Sequence, residues 1–113
     1  MNVKPAIAQR LEGRVAIVTG GGGDPSIGRA ICLRFAEEGA KVGILDVDLS
    51  GAESAVAEIE AGGGVATARR CDVTDAAAVK TAVDSIAAAW GGRVDILVNC
   101  AAWYKGMGGF RPF

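Results

Sequence analysis

Four short apolar runs, Val15 to Val18, Val42 to Leu45, Val65 to Ala68 leading into Cys71, and Val94 to Val98, alternate with three stretches of helical periodicity. None of the runs alternates strictly with polar residues, which predicts strands covered on both faces by helices in a parallel sheet. The spacing predicts a first helix from about Ile27 to Glu38, with Ser26 as N-cap and Gly39 as its stop. A second helix follows Ser50-Gly51-Ala52-Glu53, the spacing of a capping box, and sets Ala52, Ala55, Val56 and Ile59 on one face before Gly62-Gly63-Gly64 ends it. A third begins near Thr74 or Asp75, carries Val79, Val83, Ile86 and Trp90 at helical spacing, and stops at Gly91-Gly92.

Strand and helix repeated with short connections predict right-handed crossovers and a doubly wound α/β sheet. In such sheets ligands bind at the carboxyl ends of the strands, and Gly20, Asp46, Asp72 and Asn99 all fall there. With strand order 3-2-1-4 the fourth run would be an edge. Ile96-Leu97-Val98 nevertheless reads as an interior strand that expects a further neighbour.

Composition narrows the function classes. The 113 residues carry a net charge of −1 and no histidine, and half are apolar. That length suits one domain and is too short for a second substrate domain. Basic residues are scattered without forming a stripe, which disfavours nucleic acid and anionic membrane as partners and favours a small molecule. No apolar stretch approaches a membrane span and the start has no apolar signal core, so a cytoplasmic setting is expected. Without histidine there is no Ser-His-Asp triad and no His general base. Cys32, Cys71 and Cys100 are widely spaced and form no C-x-x-C pair, which predicts reduced apolar fillers rather than a disulfide or metal site.

The chemistry concentrates in Thr19-Gly20-Gly21-Gly22-Gly23-Asp24-Pro25-Ser26-Ile27-Gly28. Four consecutive glycines also suit a flexible surface loop. Placed between a predicted strand and a predicted helix, however, they bring bare backbone N–H groups and the positive end of a helix dipole to one point, where a pyrophosphate can dock. No Lys-Ser or Lys-Thr pair follows, so the clamp of an NTPase loop is missing and phosphoryl transfer is disfavoured. Asp46 ends the second strand, 26 positions after Gly20 and 18 after Gly28. A carboxylate there can accept from both adenosine ribose hydroxyls and repels a 2′-phosphate, which favours NAD over NADP. A solvated strand-end Asp is the plainer alternative.

Leu11-Glu12-Gly13-Arg14-Val15-Ala16-Ile17-Val18-Thr19-Gly20 resembles the opening strand of the short-chain dehydrogenase/reductase family, and the likeness runs on from Leu11 through nearly the whole chain. The loop departs from the family's T-G-x-x-x-G-x-G. Ser26-Ile27-Gly28 stands in place of G-I-G, two residues further from Thr19, as in the family's enoyl-reductase branch. Cys71-Asp72-Val73-Thr74-Asp75 is similar to the D-V-T-D segment, in which the Asp and the Val backbone flank adenine. Val94-Asp95-Ile96-Leu97-Val98-Asn99-Cys100-Ala101-Ala102 is similar to the D-x-L-V-N-N-A-G block, which gives Asn99 the role of tying strand ends beside the cofactor ribose.

The resemblance implies a Rossmann-like domain over residues 1–113, holding the first four strands and three helices and cut after the fourth strand. Its cofactor-binding residues would be Gly20, Gly22, Ser26, Ile27, Gly28, Asp46, Asp72, Val73, Asn99 and Ala101. It also implies hydride transfer between nicotinamide and an alcohol or carbonyl substrate, and a homo-oligomer. The family's catalytic Ser and Tyr-x-x-x-Lys are absent from these 113 residues, so the chain alone is expected to be inactive. Tyr104-Lys105 does not replace them, because adjacent side chains diverge on a helix and oppose each other on a strand. The tail from Trp103 to Phe113, rich in aromatic residues, reads as the start of a substrate loop, and the isolated chain is expected to self-associate. Two other classes stay open: a non-catalytic nucleotide-binding module, and an S-adenosylmethionine-dependent methyltransferase. The latter is disfavoured because Val18-Thr19 stands where that class places an acidic residue.

Overall fold

A computed structural model describes residues 9–102 of the chain. Its elements in order are β1 (Val15–Thr19), α1 (Ile27–Glu37), β2 (Lys41–Asp46), α2 (Leu49–Ala61), β3 (Val65–Arg70), α3 (Ala76–Ala89) and β4 (Ile96–Asn99). The strands form one parallel sheet in the order β3-β2-β1-β4. This is the doubly wound α/β arrangement that the alternation of runs predicts.

Two apolar layers hold it. Val18, Val42 and Ile44 pack with Cys32 of α1 and with Ala52, Ala55 and Ile59 of α2 on one face of the sheet. Ile17 and Leu45 pack with Ala82 and Ile86 of α3 on the other. Successive strand residues point to opposite faces, so β1, apolar at every position from Val15 to Val18, feeds both layers and is buried throughout. Gly43 leaves the room that Ile86 fills: a β-carbon there would lie 2.9 Å from Ile86 Cδ1.

The caps explain where helices begin. Ser26 Oγ accepts the Arg29 amide at 3.0 Å and starts α1, as predicted. Asp75 does the same for α3 through the Ala78 amide. The second helix corrects the capping-box expectation. Its N-cap is Asp48, whose side chain accepts the Gly51 amide, while Ser50 lies inside the helix and donates its hydroxyl to Asp48 Oδ1 at 2.9 Å. The cause is a local turn: Asp46 Oδ1 accepts the Asp48 amide at 2.9 Å, which bends the chain immediately after β2 and begins the helix two residues early.

β4 also differs from its expected interior character. It starts at Ile96 rather than Val94, and its residues alternate between half-buried and exposed. Leu97 pairs with Ile17 in the register, so it shares the α3 face, yet it is 59% exposed. Among the described residues no strand lies beyond it. β3, at the opposite edge, is likewise only half-buried.

Ion pairs pin the chain at the amino ends of the strands. Asp95 Oδ2 accepts the Val15 amide at 2.8 Å, and Arg93 donates to the same carboxylate. That amide, followed by the guanidinium of Arg93, holds the Asp95 carboxyl below its usual range. Glu38 is buried at the end of α1 and takes Arg10 and Arg34 on its carboxylate. Hydrogen bonds from the Arg10 side chain and backbone lower its pKa to about 2.

Candidate functional site

The site lies at the carboxyl ends of the strands, where β1 and β2 deliver Gly20 and Asp46 side by side. The Gly20 amide donates to the Leu45 carbonyl at 2.8 Å. Gly20 has φ +79°, and a β-carbon on it would lie 2.7 Å from the Ala101 amide nitrogen. Only glycine meets both demands, the left-handed backbone and the close passage of the chain leaving β4. Gly28, in the first turn of α1, faces the Gly20 carbonyl so closely that any β-carbon would strike it. The start of α1 is therefore pressed against the end of β1.

In this position the first turn of α1 faces the sheet edge. Ser26 occupies the Arg29 amide, and the amides of Ile27 and Gly28 donate to no described protein group. Such orphan donors at a helix N-terminus carry positive potential and suit an anion.

Asp46 joins the loop to β2. Its Oδ2 accepts the Gly22 amide at 2.8 Å and its Oδ1 accepts the Asp48 amide at 2.9 Å. Each carboxylate oxygen carries about two acceptor sites, so one on each remains for a ligand. Gly21 and Gly22 are buried, which makes this stretch of the glycine run a packed part of the sheet edge rather than a free surface loop.

A cavity of about 490 Å³ opens beside these residues. Gly20, Asp46, Asp72 and Ala101 of the predicted site line it. Gly22, Ser26, Ile27 and Gly28 form the adjoining loop and helix start, with Ile27 77% exposed. Val73 is exposed next to Asp72. Asp72 Oδ1 accepts both the amide and the hydroxyl of Thr74, at 2.9 and 2.7 Å, and these bonds lower its pKa below the ordinary carboxylate value.

Asn99 ends β4 as an exposed residue and is not among those lining the cavity. Two ties between β1 and the chain after β4 run through Thr19. Its carbonyl accepts the Cys100 amide at 3.1 Å and its Oγ1 accepts the Ala101 amide at 3.2 Å.

Sequence reasoning also passed over Leu45, Val47 and Thr74 as cavity walls, and it treated Cys71 and Cys100 as fillers although both line the cavity. All sit at or just beyond a strand's carboxyl end, which was the available signal. The three cysteines are free thiols. Cys32 lies fully buried behind Gly21, and burial pushes its pKa up to about 12. Among the described residues no group of three His, Cys, Asp or Glu side chains is placed to hold a metal ion, and no helix is long and apolar enough to cross a membrane. Tyr104 and Lys105, with the aromatic tail, lie outside the described residues.

Comparison with known proteins gives the arrangement its family. The short chain dehydrogenase family model matches residues 14–112. D-threitol dehydrogenase of Mycolicibacterium smegmatis is 44% identical over 92 residues, which are 81% of this chain and 34% of that enzyme. A hydroxysteroid dehydrogenase structure from Escherichia coli superposes with a TM-score of 0.75 at 41% identity, covering 80% of this chain and 37% of that one. An NAD+-bound xylitol dehydrogenase superposes with a TM-score of 0.72 at 40% identity, covering 78% and 33% respectively. The chain thus spans about a third of the length of the relatives it matches. These relatives are oxidoreductases and lend nothing to the methyltransferase alternative. By its sheet, its glycine loop and these matches, the chain belongs to the short-chain dehydrogenase family.

Proposed function

We propose that this chain is the dinucleotide-binding part of an NAD-dependent short-chain oxidoreductase. The observation that carries the reading is Asp46, anchored to the Gly22 amide at the mouth of the cavity with acceptor capacity left on both oxygens. The cradle fits the cofactor on its own terms: at Gly20, Gly22 and Gly28 a β-carbon would meet backbone or carboxylate atoms, and the start of α1 offers free amides.

In this reading Gly20, Gly22, Ser26, Ile27 and Gly28 form the pyrophosphate cradle, with the first-turn amides of α1 as donors. Asp46 accepts from the adenosine ribose hydroxyls and repels a 2′-phosphate, so NAD is preferred to NADP. Asp72 and Val73 flank the adenine ring, and Ala101, with Asn99 nearby, borders the cofactor on the β4 side. When bound, the nicotinamide supplies or accepts a hydride at the carbon of an alcohol or carbonyl substrate. The chain's own part is to bind and orient. The sequence contains no Tyr-x-x-x-Lys, and the proton-transferring groups are proposed to come from outside these 113 residues.

Calorimetric titration of the chain with NADH and with NADPH tests the reading. NADH should bind at least about tenfold more tightly, the scale of one lost charge-assisted hydrogen bond. Equal or tighter binding of NADPH would overturn the NAD assignment, and no binding of either would overturn the cofactor role.

A further inference from the structure

Gly51 sits in the third position of α2, where glycine weakens a helix relative to alanine. Its surroundings explain its presence. A β-carbon at 51 would lie 2.5 Å from the Gly22 carbonyl oxygen and 3.1 Å from the Gly22 carbonyl carbon. Both are backbone atoms and cannot swing aside. From the other side of the same contact, a β-carbon at Gly22 would lie 2.9 Å from the Ala52 amide nitrogen and 2.8 Å from Asp46 Oδ2. The first turn of α2 thus touches the glycine loop backbone to backbone. The contact belongs to a closed ring: Asp46 Oδ2 holds Gly22, Gly22 rests on Gly51, the Gly51 amide bonds the Asp48 side chain, and the Asp48 amide returns to Asp46 Oδ1.

We infer that Gly51 is a positioning residue for the cofactor site, its bare backbone setting how closely Gly22 approaches Asp46. The inference rests on the dinucleotide reading for its functional meaning, and on the ring alone for its structural content. A methyl group at 51 favours the helix yet pushes the loop outward. Gly22 then loses its acceptor, and the ribose-binding carboxylate loses the amide that orients it.

Two measurements on Gly51→Ala test this. In the ligand-free protein, hydrogen exchange at the Gly22 amide should speed up by about tenfold or more while the β1 amides keep their protection. In titrations with NADH, Gly51→Ala should weaken binding by about tenfold, and its effect should largely vanish in an Asp46→Ala background because the two changes break the same link. Unchanged exchange at Gly22, or an equal loss of affinity in both backgrounds, overturns the inference. If wild-type protein binds no NADH, the dinucleotide reading falls and the exchange experiment alone decides whether Gly51 places Gly22. Should Gly51→Ala not fold, hydrogen exchange in the wild-type protein decides: the Gly22 and Gly51 amides should open together with matching protection, and independent exchange of the two overturns the inference.

Discussion

Thr19 and Ala101 meet across 82 residues of chain, the buried hydroxyl oxygen of Thr19 accepting the Ala101 amide at 3.2 Å. Through this bond the last residue of β1 fixes the segment that leaves β4 along the cavity. Thr19→Val keeps the shape and removes the acceptor. It should cost about 1 kcal/mol of stability, the usual net worth of such a bond, seen as a lower urea midpoint with unchanged slope.

Gly28→Ala places a methyl group against the Gly20 carbonyl, and neither backbone segment can retreat without separating α1 from β1. The overpacking should cost about 1 to 3 kcal/mol and weaken NADH binding as the first-turn amides leave their places. Thermal denaturation and calorimetry check the two effects separately. A fully stable variant with unchanged affinity would contradict the close approach.

Replacing the β2 carboxylate by Asp46→Ala should weaken NADH binding by about tenfold to a hundredfold and narrow the gap to NADPH. Competition titrations with both nucleotides read the ratio. Unaltered selectivity would remove Asp46 from the cofactor assignment.

Stability should fall with acid through Glu38. Its folded pKa of about 2 lies below the ordinary carboxylate value because Arg10 donates to it. A depressed folded pKa contributes stability that is present above the unfolded value, near 4.3, and is lost as pH falls toward 2. Glu38→Gln should therefore flatten the pH dependence between about 5 and 2, where urea unfolding of wild type and variant can be compared.

Leu97, exposed on the edge strand of the described sheet, should promote association of the 113-residue chain. Leu97→Lys should reduce concentration-dependent sedimentation with little loss of monomer stability. Unchanged association would place the sticky surface elsewhere.

Much of this was legible in the sequence because periodicity and punctuation are local. Val15 to Val18, Ile27 to Glu38 and the stops at Gly39 and Gly91 needed only neighbouring residues to be read. The second helix was misplaced because Asp48 and Ser50 are both good caps, and the choice between them is made by Asp46 across a turn. The ties made by Thr19 and the Gly51 contact join segments far apart in the chain, and no local pattern announces them. Asn99, to which the resemblance gives the role of strand tie, stands opposite Thr19 in the register, and the Thr19 hydroxyl adds a bond to the Ala101 amide that the sequence reading did not foresee.

The double engagement of Asp46 has a bearing on redesign. If Asp46 reads the ribose as proposed, an engineer wishing to exchange one nicotinamide coenzyme for the other would begin at this side chain, yet its Oδ2 also braces the glycine loop at Gly22. A successful swap has to install a substitute brace for Gly22 together with the new recognition group, so two coordinated changes are the minimum alteration.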